Sequence, residues 1–127
     1  MFEVEQIIKI KLENPSFLYL VKEVKKIGVV ASKFFVSEGE EYYFGENNFE
    51  IKLDPIYSKI EVNKLVNKDG FANILLLHQK GETNFITFCK QAAEVGVYYW
   101  VVDLIKMNVI YYDTYGNIIL EELIPQS

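Results

Sequence analysis

The stretch FLYLVKEVKKIGV, residues 17–29, decides how this chain is read, because FITFCKQAAEVGV, residues 85–97, repeats it. Phe17, Leu20, Val21, Val24 and Ile27 recur at steps of three and one, the period of an apolar stripe on a helix. Phe85, Phe88, Cys89, Ala92 and Val95 have the same spacing, each 68 positions later. Gly28 and Val29 fall opposite Gly96 and Val97 at that offset, Lys22 opposite Lys90, and Tyr43-Phe44 opposite Tyr111-Tyr112. A pattern repeated at a fixed offset marks a duplicated structural unit.

Local chemistry fills in each unit. Asn14-Pro15 opens the first long helix, with Asn14 as N-cap and Pro15 at the first helical position. Thr83 is the expected cap of its counterpart. Gly28 and Gly96 close the two helices, where a left-handed residue without a Cβ is favoured. A shorter helix precedes each long one. Val4, Ile7 and Ile8 form one apolar edge, and Phe71, Ile74 and Leu75 form the other, after Asp69-Gly70 and at an offset of 67. Beyond each glycine the chain turns to β-formers: Val29 to Val36, Glu41 to Phe44, Val97 to Leu104, Asn108 to Tyr112 and Ile118 to Ile124. Phe49, Ile51 and Leu53 alternate with polar neighbours, the mark of a strand with one wet face. Asp54 to Lys68 has no partner in the repeat and reads as a structured connector, with a β-like segment at Lys59 to Val62.

These elements predict an α+β fold of one domain, residues 1–127. It is built from two helix–helix–three-strand units (about 1–53 and 69–125) joined by the connector 54–68. Either unit alone is too small to bury its apolar face, so the two share a core. Short turns between consecutive strands make the sheet mainly antiparallel, with the helices packed on one face. A pseudo-twofold axis then relates the units, and a cleft on that axis is the expected place for a site.

Composition bounds the function. The 127 residues carry 13 Lys, no Arg and 18 acidic residues, a formal net charge of −5. Residues 69–127 hold three Lys against seven acids, so no basic surface for nucleic acid is expected there. The lysines near Lys22, Lys25 and Lys26 suit a solvated helix face. No apolar run approaches the ~18 residues of a membrane span. The acidic start of the chain lacks the features of a signal peptide, so a cytoplasmic location is expected. Cys89 is the single cysteine and stands at a core aliphatic position of the repeat, which favours a buried thiol over a nucleophile. There is no Gly-rich phosphate loop, nucleophile elbow or paired-Cys motif, and one histidine does not make a histidine-based metal site. Neither a cofactor nor a metal is expected.

The run His78-Gln79-Lys80-Gly81, with Phe85, Phe88 and Ala93-Glu94-Val95-Gly96-Val97, resembles the YdfO-like family. The likeness continues through Val102-Asp103, Tyr111-Tyr112, Gly116 and Glu122-Leu123-Ile124-Pro125, and covers about residues 69–125. These are small prophage-associated bacterial proteins of unknown function, often labelled "phage envelope protein". The resemblance implies a small α+β domain of mobile-element origin and carries over no catalytic residue.

Three features could carry chemistry. His78, the only histidine, extends the apolar face of its helix; it is either a general base or ligand contact, or a histidine hydrogen-bonded near a helix C-terminus. Asp103 is acidic where the first unit has Phe35, so it marks either an exposed strand end or a departure for function. Tyr98, Tyr99, Trp100, Tyr111 and Tyr112 bring five large rings to two neighbouring strands. Alternation puts Tyr98 and Trp100 on one face and Tyr99 on the other. Rings with polar tips suit recognition surfaces. The leading expectation is therefore a non-enzymatic domain that holds a small ligand or a protein partner on its aromatic sheet face, or dimerises through it. The alternatives are a small hydrolase or isomerase using His78 and Asp103 in a pocket, and a structural phage component.

Overall fold

The computed structural model describes residues 1–125. The first unit contains α1 (Val4–Glu13), α2 (Phe17–Lys26), β1 (Ala31–Phe35), β2 (Glu40–Phe44) and β3 (Glu50–Lys52). The second contains α3 (Lys68–Gln79), α4 (Phe85–Glu94), β4 (Tyr99–Asp103), β5 (Asn108–Tyr112) and β6 (Ile118–Leu123). This is the expected α+β arrangement of two helix–helix–three-strand units.

The long helices end alike in both units. Gly28 and Gly96 adopt φ of 103° and 96°. The amides after them, Val29 N and Val97 N, reach back to the carbonyls of Val24 and Ala92, the bonding of a Schellman cap. The N-caps correct the sequence reading by one or two residues. Ser16 accepts from Tyr19 N and Asn84 from Thr87 N, and these two positions are themselves 68 apart. Asn14 instead receives Ser16 N, holding the bend before the helix. Thr83 bonds to His78. On α1 the buried residues are Ile7 and Ile10, while Ile8 is exposed. Phe71 and Leu75 are buried on α3.

The six strands form one antiparallel sheet in the order β3-β2-β1-β4-β5-β6. Ala31 pairs with Phe44 in the first hairpin and Tyr99 with Tyr112 in the second, so the duplication extends to strand register. The units join through β1 and β4, where Lys33 lies opposite Val101. Those two residues are repeat equivalents, so the pseudo-twofold axis passes between them, normal to the sheet. Rotation about such an axis keeps both helix pairs on the same face. The axis is therefore filled by strand pairing; the cleft expected there is replaced by a continuous sheet.

A single core lies between the helices and that face. Phe34, Trp100, Tyr43 and Tyr111 point into it, against Ile7, Val21, Val24, Phe71, Phe88 and Cys89. Ring centroids of Phe71 and Tyr111 are 4.8 Å apart, and those of Phe34 and Trp100 are 4.9 Å apart. Phe17 and Phe85, which open the two apolar stripes, are not core residues: both sit at the first turn of a helix and keep 46% and 39% of their surface exposed.

The connector crosses from the β1–β2 turn to the end of α4. Ile56 N and Ile60 N bond to the carbonyls of Gly39 and Ser37, and Asn63 N and Asn67 N to those of Ala93 and Val95. Tyr57 Oη donates to Val36 O at 2.6 Å. The segment 59–62 makes no ladder and is not a strand. Isolated bonds anchor it, and they hold it as a strap.

Candidate functional site

With the helices on one face, the other face of the sheet lacks a helix layer. Residues opposite one another in antiparallel strands share a face, so register identifies what lies there: Lys33 and Phe35 on β1, Tyr42 and Phe44 on β2, Tyr99 and Val101 on β4, Ile110 and Tyr112 on β5. All eight are partly accessible. The rings form a row across four strands. Tyr112 stacks on Tyr99 at 4.6 Å, Tyr99 on Phe35 at 5.5 Å, Phe35 meets Tyr42 edge-on at 5.8 Å, and Tyr42 stacks on Phe44 at 6.4 Å.

The five rings singled out from the sequence divide between the faces. Trp100 and Tyr111 retain only 8% and 6% exposure, packed under the helices. Burial and the Glu122 carboxylate together raise the Tyr111 phenol well above its ordinary range. These two rings belong to the core and not to a recognition surface. Tyr99 and Tyr112 lie on the open face. Tyr98 departs from the alternation expected of it, although its N donates to Tyr112 O at 2.9 Å and its O accepts from Val36 N at 2.8 Å, as in a continued strand. Its ring meets Phe35 at 5.9 Å and Tyr99 at 5.8 Å, and its hydroxyl donates to Glu38 Oε1 at 3.4 Å. Burial and the Glu38 carboxylate raise the Tyr98 phenol.

His78 and Asp103 are not brought together. His78 stacks on Phe88 at 4.5 Å in the helix layer, and its Nδ1 lies 3.0 Å from both Thr83 O and Thr83 Oγ1. Those contacts tie the end of α3 to the turn before α4. Asp103 ends β4 on the opposite side of the sheet, where its carboxylate accepts from Ile105 N and Lys106 N and shapes the β4–β5 turn. Cys89 is fully buried; desolvation pushes its thiol up to about 12, so it stays protonated at neutral pH.

Phe35, Tyr42, Phe44, Lys52 and Glu38 are not among the site residues that the sequence singles out. Alternation in β1 and β2 was legible, but which phase faces the helices depends on pairing between the units. Charges line this surface as well. Lys33 Nζ lies 5.8 Å from the centre of the Phe44 ring and Lys52 Nζ 5.9 Å from that of Tyr42. Lys52 also pairs with Glu40 at 2.6 Å.

Two hollows flank Tyr98. One, about 620 Å³, lies against the strap and includes Ser37, Ile60, Val62 and Thr114. The other, about 360 Å³, opens on the uncovered face between Phe35, Glu38, Glu40, Tyr42, Lys52 and Tyr98. Among the described residues no group of three or more His, Cys, Asp or Glu side chains is placed to hold a metal ion. No helix among them is long and apolar enough to cross a membrane.

No curated protein matches the sequence. A family model described as "Protein of unknown function (DUF1398)" matches residues 5–123, which takes in both units, the strap and the whole six-stranded sheet. The chain belongs to the DUF1398 family of proteins of unknown function.

Proposed function

We propose that the chain is a single, non-enzymatic binding domain that engages a small ligand or a protein segment through the open face of its sheet. The observation that carries this reading is the row of partly accessible rings from Phe44 to Tyr112, on a face that no helix covers. A sheet with apolar residues on both faces ordinarily buries both, and rings of this kind give large contact area at little entropic cost. The YdfO-like resemblance of residues 69–125 adds a prophage-borne, cytoplasmic setting to the proposal, in which the occupant comes from the host cell. Self-association through the same face is the competing occupancy.

The test maps backbone amide chemical shifts against a panel of small aromatic, anionic and cationic compounds and short peptides, with sedimentation equilibrium to read self-association. Binding is expected to perturb amides of Phe35, Tyr42, Tyr99 and Tyr112. It should be lost in a Tyr99→Thr/Tyr112→Thr double variant that remains folded by circular dichroism. Perturbations confined to the helix layer, or binding unaltered in the double variant, would refute the proposal.

A further inference from the structure

The 360 Å³ hollow beside Tyr98 has a chemistry more specific than the rest of the open face. Three of its six lining side chains are rings, Phe35, Tyr42 and Tyr98, and the other three are charged. Two of those charges cancel, since Lys52 is paired with Glu40 at 2.6 Å. The third, Glu38, is the exception. Its Oε1 receives one long hydrogen bond from Tyr98, and its Oε2 is buried without a hydrogen-bond partner among the described residues. No ion pair among the described residues involves Glu38, so its negative charge stands beside the three rings without a counter-ion.

The rings indicate what kind of cation. The faces of aromatic rings carry negative potential and attract ammonium and guanidinium groups. This surface already uses that attraction, with Lys33 over Phe44 and Lys52 over Tyr42. A hard divalent ion would require six or more oxygen ligands, and the hollow offers only one free carboxylate beside ring faces. We infer that the hollow formed by Phe35, Tyr42 and Tyr98 around Glu38 binds a singly charged organic cation, an alkylammonium or guanidinium group. It arrives either on a free small molecule or on a Lys or Arg side chain of a partner peptide. This assignment rests on the open face being the binding surface and narrows what it takes.

The experiment titrates the full chain with choline chloride, with its uncharged isostere 3,3-dimethylbutan-1-ol, and with the peptide Gly-Gly-Lys-Gly-Gly amide, following amide shifts. The two cations are expected to perturb Phe35, Glu38, Tyr42 and Tyr98, with the isostere at least about tenfold weaker. Glu38→Gln, nearly the same shape without the charge, should weaken both cations about tenfold. Tyr98→Leu should do the same through the ring. Tighter binding of the peptide identifies a protein side chain as the occupant, and tighter binding of choline a free cation. The inference is overturned if the isostere binds as well as choline, if Glu38→Gln binds unchanged, or if neither cation perturbs the hollow. Should the cations fail while other compounds still bind the open face and lose binding in Tyr99→Thr/Tyr112→Thr, only this assignment falls. If nothing perturbs the face, the binding-domain reading falls with it.

Discussion

Gly28→Ala and Gly96→Ala are the same substitution at equivalent positions of the two units, and the fold assigns them different costs. Both glycines close a helix at strongly positive φ, 103° and 96°. Placing a Cβ in the left-handed region costs about 1–2 kcal/mol in either case. The surroundings then diverge. A Cβ on Gly28 meets nothing within 4 Å, whereas one on Gly96 would stand 2.7 Å from Leu65 O and 3.0 Å from Val66 Cα. These are backbone atoms of the strap, and they cannot rotate aside as a side chain would. To make room, the strap must lift from the end of α4. The bonds at risk are Asn63 N to Ala93 O at 2.9 Å, Asn67 N to Val95 O at 3.0 Å and Asn63 Nδ2 to Glu94 O at 3.2 Å. At about 1 kcal/mol net for each bond, losing two or three adds about 2–3 kcal/mol. Gly28→Ala should therefore cost about 1–2 kcal/mol and Gly96→Ala about 3–5 kcal/mol, a large share of a domain's usual 5–15 kcal/mol. Urea denaturation followed by Trp100 fluorescence reads both. A double-mutant cycle supplies the control: Asn63→Ala loosens the strap beforehand, so the excess cost of Gly96→Ala should shrink in its presence. Equal losses in the two single variants, or strict additivity with Asn63→Ala, would refute the reasoning.

The division of the five rings between faces predicts that Trp100→Ala costs about 3–5 kcal/mol, since its ring packs against Phe34, Phe88 and Tyr111. Tyr99→Thr should cost about 1–2 kcal/mol from lost stacking on Tyr112 and Phe35; comparable urea midpoints for the two would contradict the assignment. Burial, the first cause in each case, raises the Cys89 thiol from 9.0 to about 12 and lifts the Tyr43 and Tyr111 phenols above their ordinary 10.0. The unfolded chain releases these protons from about pH 9 while the folded chain keeps them. Stability is thus complete below pH 9 and falls above it, by about 1.4 kcal/mol per pH unit for each group ionised only when unfolded. Cys89→Ala should flatten the first part of that fall, between pH 9 and 10, and a urea midpoint constant from pH 8 to 10.5 would count against the buried assignment. Finally, Asn84→Ala should lower stability by about 1 kcal/mol, as Ser16→Ala should in the first unit. A loss on Asn14→Ala with none on Ser16→Ala would place the first cap at Asn14 instead.

How much of this was readable in advance follows from the range over which each signal acts. The apolar stripe from Phe17 to Ile27, its copy from Phe85 to Val95 and the glycines that close them are local, set by helical period and by what φ a residue tolerates. They determined two equivalent units, the helix–helix–strand order in each and the α+β class. Capping was harder, because Asn14, Ser16, Thr83 and Asn84 are all competent caps and the winner depends on where the first turn starts. Of these four, only Ser16 and Asn84 stand 68 positions apart, and they are the pair that caps.

What tertiary structure alone decided is which side of each strand is inside. Alternation supplies two faces but not their assignment, and here that assignment comes from β1 pairing with β4 so that Lys33 faces Val101. That pairing puts the dyad normal to the sheet, gathers four helices on one side, and leaves Tyr99, Tyr112, Phe35, Tyr42 and Phe44 on the other. It also draws Trp100 and Tyr111 into the core, away from the surface the sequence suggested for them. The hollow at Glu38 needs the contact of Glu38 with Tyr98, 60 positions away and in the other unit, which no local period encodes; only its Tyr42–Lys52 side is built by one hairpin. The duplication is written in the sequence; the asymmetry that makes one face a candidate site exists only once the two halves share a sheet.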